Sequence, residues 1–191
     1  MKRLLLILIL SLSFQSWTKA DDIRDFQIEG ISLGDSLLDF YSKEVITNAI
    51  KDAYYYPDRK FLDIFIEASN NSNYEWLQIT LKSKDKKFKT HTVTGQIDFS
   101  NNIKECYKKK KEIVKEIRLF FQNKVKIIND VIIHPIDKSG KSKVDTTDFN
   151  LEGGSVQVQC FDWNSDLQYT DKLTVHVKSQ EAVEYFSQAY K

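Results

Sequence analysis

The chain has 191 residues, with 28 Lys or Arg against 27 Asp or Glu, a formal net charge of +1, 41% hydrophobic residues and two cysteines. So even a balance excludes the basic excess with which nucleic-acid-binding proteins neutralise phosphates. The length suits one domain, large enough to bury a core without metal staples.

Met1-Lys2-Arg3 is a short positive start, Leu4 to Leu12 is aliphatic apart from Ser11, and Ser13 to Lys19 is more polar. Thr18-Lys19-Ala20 then sets small residues where a signal peptidase reads. The apolar run is too short for a hydrocarbon layer of about 30 Å, so residues 1–20 are read as a cleaved signal peptide, with Ala20 and Asp21 flanking the cut. Cleavage removes Lys2, Arg3 and Lys19 and no acids, so 28 basic residues become 25 against 27 acidic ones, a net charge of −2. Position 21 is Asp, without the Cys of a lipoprotein, and no later stretch reads as a transmembrane segment. The expected product is one α+β domain over 21–191, periplasmic or secreted. Lys far outnumbers Arg and Asn and Ile abound, as in an AT-rich bacterial genome.

Residues 26–34 alternate briefly and end at Gly34. A helical pattern opens at Ser36, with Leu37, Phe40 and Tyr41 one turn apart, and Ser42 caps a second, with Val45, Ile46, Ala49 and Ile50 inward. Tyr54-Tyr55-Tyr56-Pro57 ends it, because Pro disfavours helix in the residue before it. Strand-like segments follow at Phe61–Ala68, Tyr74–Leu81 and Thr90–Phe99, joined by short polar loops that favour antiparallel pairing.

From Ile103 to Phe121 the apolar residues 103, 106, 107, 113, 114, 117, 120 and 121 make a stripe of helical period, interrupted by Lys110. Asn101 or Asn102 can cap its start. The run Lys108 to Lys111, set among Glu105, Glu112 and Glu116, reads as a solvated face with local ion pairs. Cys106 lies on the apolar stripe. In an oxidising compartment its isolated pairing with Cys160 reads as a disulfide closing a loop of about 54 residues, since a redox pair calls for Cys-x-x-Cys.

Val125 to Ile136 is apolar and β-branched, and Lys138 to Lys143 is a polar link. Further segments run Val144–Leu151, Ser155–Trp163 and Lys172–Lys178, with the turn Glu152-Gly153-Gly154 between the first two. Ser179-Gln180-Glu181 opens a last helix to Tyr190, with Ala182, Val183, Phe186 and Ala189 inward. The two halves have one order, three strands and a helix, at offsets of about 77–83 residues. A βββα unit used twice builds an antiparallel sheet with helices on one face, a two-layer α+β sandwich.

Gly34-Asp35-Ser36-Leu37 resembles the signature of the GDSL, or SGNH, secreted esterases, and Asp130-Val-Ile-Ile-His134 resembles their Asp-x-x-His block. That resemblance implies Ser36 as a nucleophile activated by His134. The chain departs from it in three ways. The Asp-to-His spacing is one residue too long, 57 residues follow His134, and the Gly-x-Asn-Asp block that helps hold the oxyanion is missing. The local reading is a strand closed by Gly34 and a helix capped by Asp35 or Ser36.

His91, His134 and His176 stand apart from any carboxylate or thiol at metal-ligand spacing, and nothing in the pattern asks for a cofactor. Asn70-Asn71-Ser72 matches a glycosylation acceptor by composition. Trp76, Trp163 and Tyr54–Tyr56 are core or groove aromatics. The opening Ile28-Glu-Gly30-Ile31-Ser-Leu33-Gly34-Asp-Ser-Leu37, followed by a helix and an antiparallel meander, resembles small exported proteins of marine bacteria. It is also distantly similar to SmpA/BamE-like envelope accessory domains. The resemblance implies a non-enzymatic binding or envelope-associated role toward a protein or small molecule. The alternative is a Ser36 esterase.

Overall fold

Eight antiparallel strands form one sheet in the order β1-β2-β3-β4-β8-β7-β6-β5. They are β1 (Tyr54–Tyr55), β2 (Phe61–Glu67), β3 (Trp76–Lys82), β4 (Thr90–Asp98), β5 (Lys126–Ile133), β6 (Lys143–Leu151), β7 (Gly154–Asp162) and β8 (Lys172–Ser179). Three α-helices accompany them: α1 (Lys43–Lys51), α2 (Ile103–Phe120) and α3 (Gln180–Ala189). This computed structural model describes residues 22–68, 72–100, 102–121 and 125–189. The expected signal peptide over 1–20, its Ala20–Asp21 cut, the acceptor Asn70, the Asn101 cap and Tyr190 lie outside the described residues. Among those residues no helix is long and apolar enough to cross a membrane.

Strand alternation divides the sheet into two unlike faces. On one, Leu62, Ile64 and Ile66 line up through the register with Leu77, Ile79, Val93, Val175, Val177, Val156 and Val158. All are buried, and Ile46 of α1, Cys106 and Ile117 of α2 and the N-terminal Ile28 and Ile31 complete this core. Cys106 is bridged to Cys160 of β7, with Cα atoms 6.1 Å apart. The expected disulfide is thus present, and it ties α2 to an interior strand of the sheet.

Gly95 interrupts the aliphatic row for a steric reason. A Cβ there would enter the ring of Tyr74. At the other end of the core Phe26 packs on Phe120 and Phe121, with centroids 5.8 and 6.0 Å away.

The α+β architecture and the antiparallel pairing match the sequence reading, but α3 does not share the face of α1 and α2. Its Tyr185 and Phe186 pack on Phe61, with centroids 4.9 and 6.4 Å away, and Phe61 alternates with Leu62 to the opposite side. The order β2-β3-β4-β8-β7-β6 is symmetrical about the β4–β8 pair, as two βββ halves require. A twofold through that pair would leave both following helices on one face, whereas α2 and α3 lie on opposite ones. Propensity and period decide that a helix forms. Which face receives it depends on where the buried apolar surface remains.

Candidate ligand surface on the polar sheet face

The second face carries the strands' other parity and is polar through its centre. The register sets Gln78, Thr94, His176, Gln157 and Asp148 in one row across five strands. The next row is Trp76, Gln96, Thr174, Gln159 and Thr146. Such rows suit a face of an antiparallel sheet that keeps some contact with water: Thr94, Thr146 and Thr174 are buried within them, while Gln78, Gln96, Gln157, Gln159 and His176 stay partly exposed.

The side chains form ladders of hydrogen bonds. Lys178 Nζ donates to Gln157 Oε1 (2.8 Å), and Gln157 Nε2 donates to Asp148 Oδ1 (2.6 Å). Lys172 Nζ donates to Gln96 Oε1 (3.3 Å), and Gln96 Nε2 to Asp98 Oδ1 (2.7 Å). His176 Nδ1 lies 2.9 Å from Thr94 Oγ1 and its Nε2 lies 2.8 Å from Thr174 Oγ1. At the margin, Asp63 accepts from Thr80 Oγ1 (2.6 Å), Gln78 Nε2 (2.7 Å) and the Tyr56 hydroxyl (2.8 Å).

Burial shifts the titration of the ionisable groups here. It pushes the Lys178 ammonium below its ordinary range, with Asp148 pulling back, and lowers Lys172 against the pull of Asp98. It takes the His176 imidazole well below its ordinary value, and the charges of Lys178 and Lys172 act in the same direction. For Asp63 burial raises the carboxyl, outweighing its three hydrogen bonds.

α3 roofs one end of this face and leaves a groove of about 310 Å³. Its floor holds Lys178, Gln157 and Asp148, and its wall is Val183 and Phe186 of the helix with Ile128 of β5. Glu181, in the first turn of α3, anchors the roof by accepting from Lys82 (2.8 Å) and Lys60 (3.2 Å). The Lys82 hydrogen bond, chiefly, holds its carboxyl below the usual range. A bulge, in which Thr80 pairs with Thr92 and Leu81 with Thr90, leaves His91 as the extra residue of β4. His91 packs against Phe61 (5.2 Å between centroids) and lies 3.7 Å from Glu181.

A second hollow, of about 420 Å³, lies at the strand ends between Arg24, Gly34, His91 and Gly153. Of its charged groups, Arg24 is paired with Asp22 and Glu181 with Lys82.

The residues singled out from sequence fall in separate places. Ser36 caps the 3-10 turn Leu37–Asp39: its hydroxyl donates to the Lys87 carbonyl (2.7 Å) and accepts from the Leu38 amide (3.3 Å). His134 accepts from the Ile136 amide (3.3 Å) and lies against Trp163 (4.4 Å between centroids) and Phe161 (6.0 Å). The contacts of Ser36 and of His134 share no residue. Tyr169 and Lys172 complete the His134 cluster, against Trp163 and Phe161 respectively.

Trp76 sits at the margin of the polar face and is exposed. Tyr54 and Tyr55 form the short edge strand β1 instead of a helix end. Asn102 precedes α2 without a side-chain capping bond. Among the described residues no three His, Cys, Asp or Glu side chains gather as a metal site.

The floor residues Lys178, Gln157 and Asp148 were missed from sequence. Their only signal is the alternation of β6, β7 and β8, which assigns each a face without saying that Gln157 lies opposite Asp148 and diagonal to Lys178. A scan of family models and searches of curated proteins and of solved structures find no match to this chain.

Proposed function

We propose that this protein is an exported, non-enzymatic binding module that takes a small polar ligand in the groove between α3 and the polar sheet face. The observation that carries the reading is the makeup of that groove. A half-buried ammonium, an amide and a carboxylate stand in line on the floor, and an apolar wall faces them. Binding sites that fix orientation combine a few placed polar groups with apolar walls in this way. Lys178 and Asp148 offer a donor and an acceptor for a ligand with both an anionic or carbonyl group and a donor. The Cys106–Cys160 bridge supports the exported setting, because such bonds persist in oxidising compartments. The similarity of residues 28–37 to exported and envelope accessory domains agrees with a binding role.

The test is a thermal-shift screen of small polar metabolites on the wild type and on Lys178→Met. A ligand that stabilises the wild type and loses its effect in Lys178→Met, while keeping it in the distant variant Lys111→Met, supports the groove. Stabilisation indifferent to Lys178 counts against it. Ester hydrolysis that disappears in Ser36→Ala would overturn the non-enzymatic reading. N-terminal sequencing of the protein from the host's cell envelope or medium is expected to begin at Asp21.

A further inference from the structure

The two edges of the sheet are managed differently. At one end β1 is only two residues long, Tyr54–Tyr55, with Pro57 two positions on, so it offers almost no ladder to another chain. At the other end β5 runs through eight residues, Lys126-Ile-Ile-Asn-Asp-Val-Ile-Ile133, and is exposed almost throughout. Val131 and Ile133 are each 60% exposed, and Ile128, Ile132 and Ile136 are exposed beside them. A long aliphatic edge with unpaired amides is the usual template for pairing with another strand.

The orientation of that ladder is defined. The His134 amide donates to the Ser142 carbonyl of the β6 side (2.9 Å), and in the β5–β6 register residues 132, 130, 128 and 126 continue the same phase. An antiparallel ladder alternates bonded and non-bonded positions, so the amides of Ile127, Asn129, Val131 and Ile133 point outward. The Val131 amide accordingly turns away from β6 and donates to the Asp130 carboxylate (2.8 Å).

We propose that β5 is the seam of a homodimer. Two copies pair antiparallel along it, in the register that sets Ile128 against Ile128 of the partner subunit. Three features select a second copy. The strand carries one cation, Lys126, and one anion, Asp130, four residues apart on the same face and equally spaced about Ile128. In this register each Lys126 stands directly opposite Asp130 of the partner subunit, so both charges are answered twice by one symmetry operation. The outward amides of Ile127 and Asn129 then fall into the bonded positions of the new ladder.

Registers shifted toward Ile133 lack this match. Centring on Asn129 sets both charges opposite aliphatic residues, and centring on Asp130 sets like charges face to face. Because β1 is too short to serve as the other half of a head-to-tail contact, the assembly closes at two copies instead of growing into a filament.

Sedimentation equilibrium of the purified protein at low salt, from micromolar to millimolar concentration, tests the proposal. The wild type is expected to dimerise. Lys126→Asp and Asp130→Lys each convert two attractive cross-strand pairs into repulsive ones, and each should weaken association by about tenfold or more. The double variant Lys126→Asp/Asp130→Lys restores the pairs with their signs exchanged and should recover wild-type association. Ile128→Cys should cross-link into a disulfide dimer on mild oxidation, while Ile133→Cys should not. All four positions are exposed, and thermal melts that match the wild type at a dilution where every chain is monomeric show that only association is being read. A chain monomeric throughout, a dimer indifferent to the swaps, or open-ended filaments would each overturn the proposal.

Discussion

Lys110 of α2 and Asp145 of β6 meet at 2.7 Å, Nζ to Oδ1, one helical turn along from the Cys106–Cys160 bridge. Asp145 is the cross-strand partner of Cys160, so bridge and ion pair fasten the same stretch of helix to neighbouring strands. Lys110 is only 5% exposed. The residue that interrupts the apolar stripe of α2 therefore faces inward with it, and does not join the solvated run of Lys108, Lys109 and Lys111.

Removing the carboxylate leaves a buried ammonium without its partner, so Asp145→Ala should destabilise the fold by about 2 kcal/mol, less than a fully buried pair because Asp145 keeps some solvent contact. Lys110→Met replaces the ammonium by a thioether of similar length and should cost under about 1 kcal/mol. Urea titrations of the two variants measure the difference, and equal losses would contradict this account of the pair.

The Cys106–Cys160 bridge spans a sequence separation of 54 residues. Loop-closure entropy for that length gives roughly 4 kcal/mol, which native strain and residual structure commonly reduce. Cys106→Ala/Cys160→Ala should lower stability by about 2–4 kcal/mol. Dithiothreitol should shift the wild-type denaturation midpoint by a comparable amount and leave that of the double variant unmoved.

Tyr74 lies over Gly95, and burial pushes its hydroxyl up to about 12, helped by the negative charges of Glu29 and Glu116. Gly95→Val should displace the ring and cost about 2–3 kcal/mol as an overpacked site. In the wild type the ultraviolet band of tyrosinate should show a late phase shared by Tyr74 and Tyr107, whose hydroxyl burial likewise pushes up to about 12. In Gly95→Val the Tyr74 part should move toward the ordinary value near 10 and leave a smaller late amplitude. A late amplitude unchanged in Gly95→Val would show that the ring had kept its place.

The His176 imidazole is held below its ordinary value mainly by burial, so the unfolded chain binds a proton that the native state refuses once the pH falls below about 6.5. Its effect on stability is therefore absent above that pH and becomes a growing loss as the pH falls below it. His91 and His134 are shifted in the same direction, burial again the chief cause, and share the slope. His176→Gln should remove one portion of it: stability plotted from pH 7.5 to 5 should decline less steeply than in the wild type. An unchanged slope would mean that His176 protonates freely in the folded state.

Much of the secondary structure was legible from local pattern. The segments expected at Phe61–Ala68, Thr90–Phe99 and Lys172–Lys178 appear as Phe61–Glu67, Thr90–Asp98 and Lys172–Ser179. The long helix expected from Ile103 to Phe121 runs to Phe120. These agree because a period of two or of 3.6 is written into adjacent residues and needs no distant partner. Tyr54 and Tyr55, next to a helix-ending Pro, carried no such period. They became a strand because Asp63 and Leu62 offered them an edge.

Other features depended on neighbours that local pattern does not name. Alternation assigned Lys178, Gln157 and Asp148 each to one face of its own strand. Only the registers of β8 with β7 and of β7 with β6 align the three as one ladder. The amphipathic pattern of α3 likewise marked Val183 and Phe186 as inward without saying which side of the sheet was inward. By itself the sequence determined most of the strands and helices and which of their residues share a face. The tertiary structure decided which faces meet, because α1, α2 and the N-terminal segment already cover the aliphatic side and the apolar surface around Phe61 remains for α3.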